Sequence, residues 1–126
     1  MAVSIPVERI NGPVLLISAD DDASWPSRAY SEVAADRLAA AGHPHRWEHR
    51  VLAAGHLIAG PPGSPITSTR SPGPGITFEM GGTPAATTAA RLEAWSATVA
   101  FLRSALHGVP AGDAEPLPGG IRGAVR

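Results

Sequence analysis

The sequence predicts an α/β fold, and three observations carry the prediction. A run of branched apolar residues, Val14 to Ser18, follows the breaker pair Gly12-Pro13. An alternating segment, Arg46 to Leu52, comes some thirty residues later. A helix-period pattern follows each of them. The order strand, helix, strand, long loop, helix implies parallel strands with helices on the faces of the sheet.

"VLLIS" is apolar on both faces, as in a parallel strand covered on each side. It ends in the polar loop "ADDDASWPS". In "SRAYSEVAADRLAAAGHP", Tyr30, Val33, Ala34, Leu38 and Ala41 recur at helical spacing. Ser27 is the expected N-cap, Gly42 the stop, and Pro44 lies just beyond. "RWEHRVL" places Trp47, His49 and Val51 on one face and Arg46, Glu48 and Arg50 on the other. The charged face predicts a strand near a sheet edge.

Ala59 to Gly82 is rich in Pro, Gly, Ser and Thr and reads as one long loop at the rim of a site. Thr83 then caps a second helix with Pro84 at its first position. Leu92, Trp95, Val99, Leu102 and Leu106 form its expected apolar stripe, and Gly108 ends it. Residues 1–108 are one unit. Residues 109–126, with no periodicity from Pro110 onward, are expected to be a disordered tail. Two strands are too few for a parallel sheet, so the sheet is incomplete and the chain reads as the end of a larger α/β domain.

The composition excludes several function classes. The chain of 126 residues carries a formal charge of −1, and all ten of its basic residues are arginine, scattered along the sequence. Few aromatics accompany them, so no nucleic-acid surface is expected. No apolar run is long enough for a membrane span, and Glu8 and Arg9 fall where a signal peptide would need its apolar core. A cytoplasmic location is the expectation. There is no cysteine, hence no disulfide, thiolate metal site or cysteine nucleophile within these residues. No cofactor motif is found.

Chemistry concentrates at the strand ends, where open α/β sheets gather their active sites. The first strand leads into Asp20-Asp21-Asp22. The second leads into His56, within "AAGHLIAGPPGSP". Acid first and histidine later is the order of these two groups in α/β-hydrolases, where the nucleophile comes earlier still. A neutral imidazole can take the nucleophile's proton, and a carboxylate can hold the imidazole in the right tautomer.

Three blocks, "IPVERINGPVLLISADDDASWPS", "AAGHPHRWEHRVLAAGHLIAGPPGSP" and "FEMGGTPAATTAARLEAWSATVAFLRSAL", resemble the C-terminal part of the acyl-CoA thioesterase and bile acid-CoA:amino acid N-acyltransferase family. The resemblance spans the chain from Ile5 to Leu106. It implies an α/β-hydrolase fold and acyl transfer from a CoA thioester to water or an amine. The family's histidine motif, "GAGHLI…PP", reads "AAGHLIAGPP" here and implies His56 as the catalytic base. The family's "GxxD" turn reads Ala19-Asp20-Asp21-Asp22 and implies Asp22 as its acid, with Asp21 the main rival. Ala19 stands where the turn glycine belongs, which would add strain if that position needs positive φ. Asp20 and Asp21 are expected to be solvated, with one of them bonding the turn backbone. Gly63 replaces an aromatic residue. The family's Ser or Cys nucleophile, its oxyanion hole and its N-terminal β-sandwich belong to segments upstream of anything matched here. The chain has no G-x-S-x-G elbow.

Blander readings stand beside these. His43, His45 and His49 could suggest a metal site, but they lack an acidic or thiolate partner nearby, and none is expected. Trp25 and Trp95 are expected to be packing residues. Two alternatives to the enzyme reading are a non-catalytic remnant or interaction module, self-associating through an exposed sheet edge, and a fragment of a dienelactone-hydrolase-like esterase, which the strand-end signals alone would fit.

Overall fold

Val14–Ala19 forms β1 and Trp47–Leu52 forms β2 in the computed structural model, which describes residues 4–107 and 120–122. The two strands pair in parallel from Val14 opposite Trp47 to Ala19 opposite Leu52. Between them runs α1, Ser27–Ala40. The chain continues through β3 (Thr69–Gly73), β4 (Ile76–Glu79), α2 (Pro84–His107) and β5 (Gly120–Arg122). The predicted α/β order is therefore present, with β1 and β2 as the parallel pair and β5 added antiparallel to β2.

The helix ends follow local chemistry, with one change. Gly42 takes φ +59°, and the Gly42 and His43 N–H groups donate back to the Ala39 and Leu38 carbonyls. This closes α1 with the paired bonds of a Schellman stop. Thr83 Oγ1 accepts the Ala86 N–H at 3.1 Å and caps α2 as expected. Ser27 does not cap α1. Its hydroxyl lies 3.3 Å from both the backbone N and the O of Ala19, tying the helix start to the end of β1. Ala19 itself is the last strand residue, paired with Leu52 and buried, so the strain expected of a turn residue does not arise.

Four further expectations are corrected. The loop from Ala59 to Gly82 contains a hairpin, β3–β4, turning at Pro74-Gly75 with Gly75 at φ +75°. Strand β2 is not at an edge, because it lies between β1 and β5. Its charged residues face α2 and pair among themselves: Arg50 Nε lies 2.6 Å from Glu48 Oε1, and Arg50 Nη1 lies 3.8 Å from Glu93. Within the tail expected to lack structure, Gly120–Arg122 form β5, because residues 48–50 of β2 offer a free ladder edge there. The rest of that tail lies outside the described residues. Finally, α2 does not bury its predicted stripe. Leu92, Trp95, Leu102 and Leu106 are exposed and only Val99 of the stripe is half-buried; Thr87, Ala90, Arg91 and Ala94 are buried instead. Small alanines let the helix approach the sheet closely, and they join Ala19, Leu52, Ala54 and Ile58 in the core.

The opposite face of the sheet meets α1, whose Leu38 is fully buried. On this face Ser18 and His49, diagonal across the parallel pair, share a buried hydrogen bond of 2.8 Å. Burial pushes the His49 imidazole below its ordinary value, with Glu32 and Arg28 of α1 acting in opposite senses. Above the ordinary value of 6.5 the ring is neutral in the folded and unfolded chain and adds no pH dependence. Below it the unfolded chain takes up a proton that the folded chain resists, so stability falls as pH falls. The urea midpoint is therefore expected to be lower at about pH 5.5 than at about pH 7.5. His49→Gln, which does not titrate, should shrink that difference; an equal drop in the variant would contradict the assignment.

Candidate active site

The parallel register brings two loops side by side. Beyond the strands the ladder continues, with the Asp20 N–H donating to the Leu52 carbonyl at 3.0 Å and the Asp21 N–H to the Ala54 carbonyl at 3.1 Å. The loop after β1 and the loop after β2 thus leave the sheet together. The first carries the three aspartates and the second carries His56.

Each aspartate has a different partner. Asp22 reaches the histidine: its two carboxylate oxygens lie 3.1 and 3.0 Å from His56 Nδ1. Oδ1 also accepts the N–H groups of Ser24 and Trp25, which folds the loop around the carboxylate. Burial alone would raise the Asp22 carboxyl. The hydrogen bonds from His56, Trp25, Ser27 and Ser24 outweigh it and hold the group below its ordinary value. Asp20 Oδ1 accepts the Ala54 N–H, and Asp21 Oδ2 accepts the Gly82 N–H. Both residues are exposed, as expected of solvated acids, but each carboxylate bonds the backbone of another segment and not of its own turn.

A carboxylate only accepts, so His56 donates from Nδ1; in the neutral ring that tautomer leaves Nε2 with a lone pair. The Asp22 side chain is 4% exposed and that of His56 is 35% exposed. The acid is shielded and the ring is open to solvent. This is the arrangement in which a buried carboxylate orients a base that can still reach a reacting group.

Further contacts hold the backbone of the histidine loop. Besides the Asp20 bond at Ala54, Thr87 Oγ1 accepts the Gly55 N–H at 3.1 Å. The His56 N–H donates to the Met80 carbonyl at 2.6 Å. Arg91 Nε donates to the Leu57 carbonyl at 2.9 Å, and its Nη1 reaches the Ser64 carbonyl at 3.3 Å. Thr87 and Arg91 are both buried on α2. The sequence reading missed these two residues and the Gly81-Gly82 pair. Two adjacent glycines before a Thr-Pro helix start, and an arginine on an alanine-rich helix face, were the available signals.

Trp25 is not a packing residue. It is 59% exposed, edge-on to the His56 ring at 6.2 Å and to Tyr30 at 6.2 Å. Trp95 is 40% exposed and lines an apolar groove of about 280 Å³ with Ile17, Ile58 and Ala94. The other histidines lie apart from the site. His43 Nε2–H donates to the Gly12 carbonyl, His45 Nε2–H donates to Asn11, and His49 bonds Ser18.

Gly55, Gly81 and Gly82 let three backbones meet behind His56. Gly81 and Gly82 adopt φ +68° and +63°, and a Cβ on Gly81 would overlap the Asp21 carbonyl. Gly42 also has positive φ but faces open space. Gly42→Ala is therefore expected to cost about 1–2 kcal/mol, the conformational penalty alone. Gly81→Ala should cost clearly more, as read by chemical denaturation of the two variants. Equal losses would show that the close approach at Gly81 relaxes without cost.

The family described as BAAT / Acyl-CoA thioester hydrolase C terminal matches residues 1–108. Acyl-coenzyme A thioesterase 6 of Mus musculus is 33% identical over 104 residues, which is 82% of this chain and 25% of that protein. The mitochondrial acyl-coenzyme A thioesterase 2 of Rattus norvegicus is 36% identical over 107 residues, 82% of this chain and 23% of that protein. The peroxisomal succinyl-coenzyme A thioesterase of Mus musculus is 37% identical over 57 residues, 45% of this chain and 14% of that protein. The chain spans about a quarter of the length of the first of these relatives. With the family matched over most of its residues, it belongs to the BAAT / acyl-CoA thioester hydrolase C-terminal family.

Proposed function

We propose that the chain is the acid–base portion of an α/β-hydrolase that transfers an acyl group from a CoA thioester to water or an amine, acting in the cytoplasm. The observation that carries the reading is the contact of His56 Nδ1 with both oxygens of Asp22, with the ring otherwise open. The 126 residues hold no cysteine and no G-x-S-x-G, so the Ser or Cys nucleophile comes from outside them. As the nucleophile attacks the thioester carbonyl, His56 Nε2 takes its proton and Asp22 steadies the imidazolium. The tetrahedral intermediate collapses, the carbon–sulfur bond breaks, and His56 returns the proton to the CoA sulfur. Water or an amine then attacks the acyl-enzyme, again giving its proton to His56, which passes it to the departing nucleophile.

On this reading the pure chain releases no CoA thiol from a long-chain acyl-CoA. Fused in place of the C-terminal quarter of the mouse thioesterase 6, it should support thiol release; in that chimera Asp22→Ala should lower kcat by about 10⁴-fold and His56→Ala by about 10⁶-fold. A folded but inactive chimera would count against the reading. Turnover by the chain alone, abolished by His56→Ala, would overturn the external nucleophile.

A second reading, an interaction module without catalysis, is favoured by the apolar groups that α2 turns to solvent. In addition, β1 has no strand partner on its outer side among the described residues. Sedimentation velocity should then show concentration-dependent association that weakens with Trp95→Glu. A monodisperse monomer across the accessible range would remove this support.

A further inference from the structure

We propose that Asp21 is a positioning residue for His56, acting through the backbone of two segments that the folded chain brings together. This rests on the reading of His56 and Asp22 as base and acid. Asp21 makes two bonds in opposite senses. Its N–H donates to the Ala54 carbonyl at 3.1 Å, and its Oδ2 accepts the Gly82 N–H at 3.0 Å. Ala54 lies two residues before His56. Gly82 lies two residues after Met80, whose carbonyl takes the His56 N–H at 2.6 Å. One residue therefore holds both segments that set the backbone of the base.

The packing around it leaves little slack. A Cβ on Gly81 would strike the Asp21 carbonyl, one on Gly82 would strike the Gly55 nitrogen, and one on Gly55 would strike the Gly81 carbonyl. The acid loop, the histidine loop and the glycine turn are stacked backbone to backbone. Asp21 is the only one of the three aspartates whose carboxylate grips the glycine turn. Its neighbour Asp22 starts from that anchored position and presents both oxygens to Nδ1. Releasing Gly82 frees the turn, lets the Met80 carbonyl withdraw, and removes the support that keeps the ring within 3.0–3.1 Å of the carboxylate.

The test is NMR of the full chain labelled with ¹⁵N, with two readouts: the His56 Nδ1–H proton resonance and the exchange rate of the His56 backbone amide. In Asp21→Ala the Nδ1–H resonance should broaden or vanish, and the amide should exchange at least about tenfold faster. In Asp21→Asn, whose amide oxygen still accepts the Gly82 N–H, both should stay near wild type. Asp36→Ala, the loss of an exposed acid on α1, should change neither. Asp21→Ser, too short to reach Gly82, replaces the alanine variant if that variant does not fold. Two results would overturn the proposal. Asn behaving like Ala would mean that charge matters and not the bond; neither variant changing would make Asp21 a spectator. A wild-type chain with no Nδ1–H resonance would instead defeat the acid–base reading, while the amide exchange still decides the role of Asp21.

Discussion

The parallel, in-register pairing of β1 with β2 is the constraint on which the rest of the molecule depends. Six residue pairs, from Val14 with Trp47 to Ala19 with Leu52, bring two segments more than thirty residues apart to the same end of one sheet. A slip of one residue would turn every side chain of a strand to the other face. It would also separate Asp20 from Leu52 and Asp21 from Ala54, the two bonds that carry the ladder into the loops. The Asp22–His56 contact is downstream of that register. Ser18 and His49 reinforce it with a side-chain bond across the same two strands, in a place where water cannot compete.

The histidine loop illustrates how such a contact is kept. A loop packed against other backbone must still satisfy its N–H and C=O groups, since an orphaned polar group out of water is costly. Here Asp20, Thr87, the Met80 carbonyl and Arg91 each take one such group. Two of the four come from α2 and one from the turn before it. The second helix therefore does more than cover the sheet. It supplies the polar side chains that hold the backbone on either side of His56, while its alanines let it lie close enough to do so. The lowered Asp22 carboxyl has the same origin: donors collected by the loop outweigh the burial that acts to raise it.

The same geometry explains the uneven surface. On α2 the face that meets the sheet is small and polar, the larger apolar residues Leu92, Leu102 and Leu106 are exposed, and Trp95 lies on the groove it shares with Ile17. On α1, Leu38 is buried while Tyr30 and Val33 are exposed. Contiguous exposed apolar groups of this kind are a common mark of interaction surfaces and ligand grooves.

By itself the sequence determined β1, α1, β2 and α2 in their order, the parallel pair, the stop at Gly42, the cap at Thr83 and the candidate pair Asp22 and His56. Those features depend on local rules: periodicity, breakers, caps and the tendency of sites to gather at strand ends. The pairing of Asp22 over Asp21 came from motif likeness, and the coordinates place Asp22 on the ring. Only the tertiary structure decided the rest. It decided that β2 is interior, that the rim loop holds a hairpin, and that most of the helix stripe of Leu92 to Leu106 is exposed. It also gave Asp20, Asp21, Thr87 and Arg91 their partners, in segments 27 to 61 residues away. Periodicity can find an apolar face but cannot say what it packs against, and a side chain's hydrogen-bond partner is fixed only when distant backbones meet.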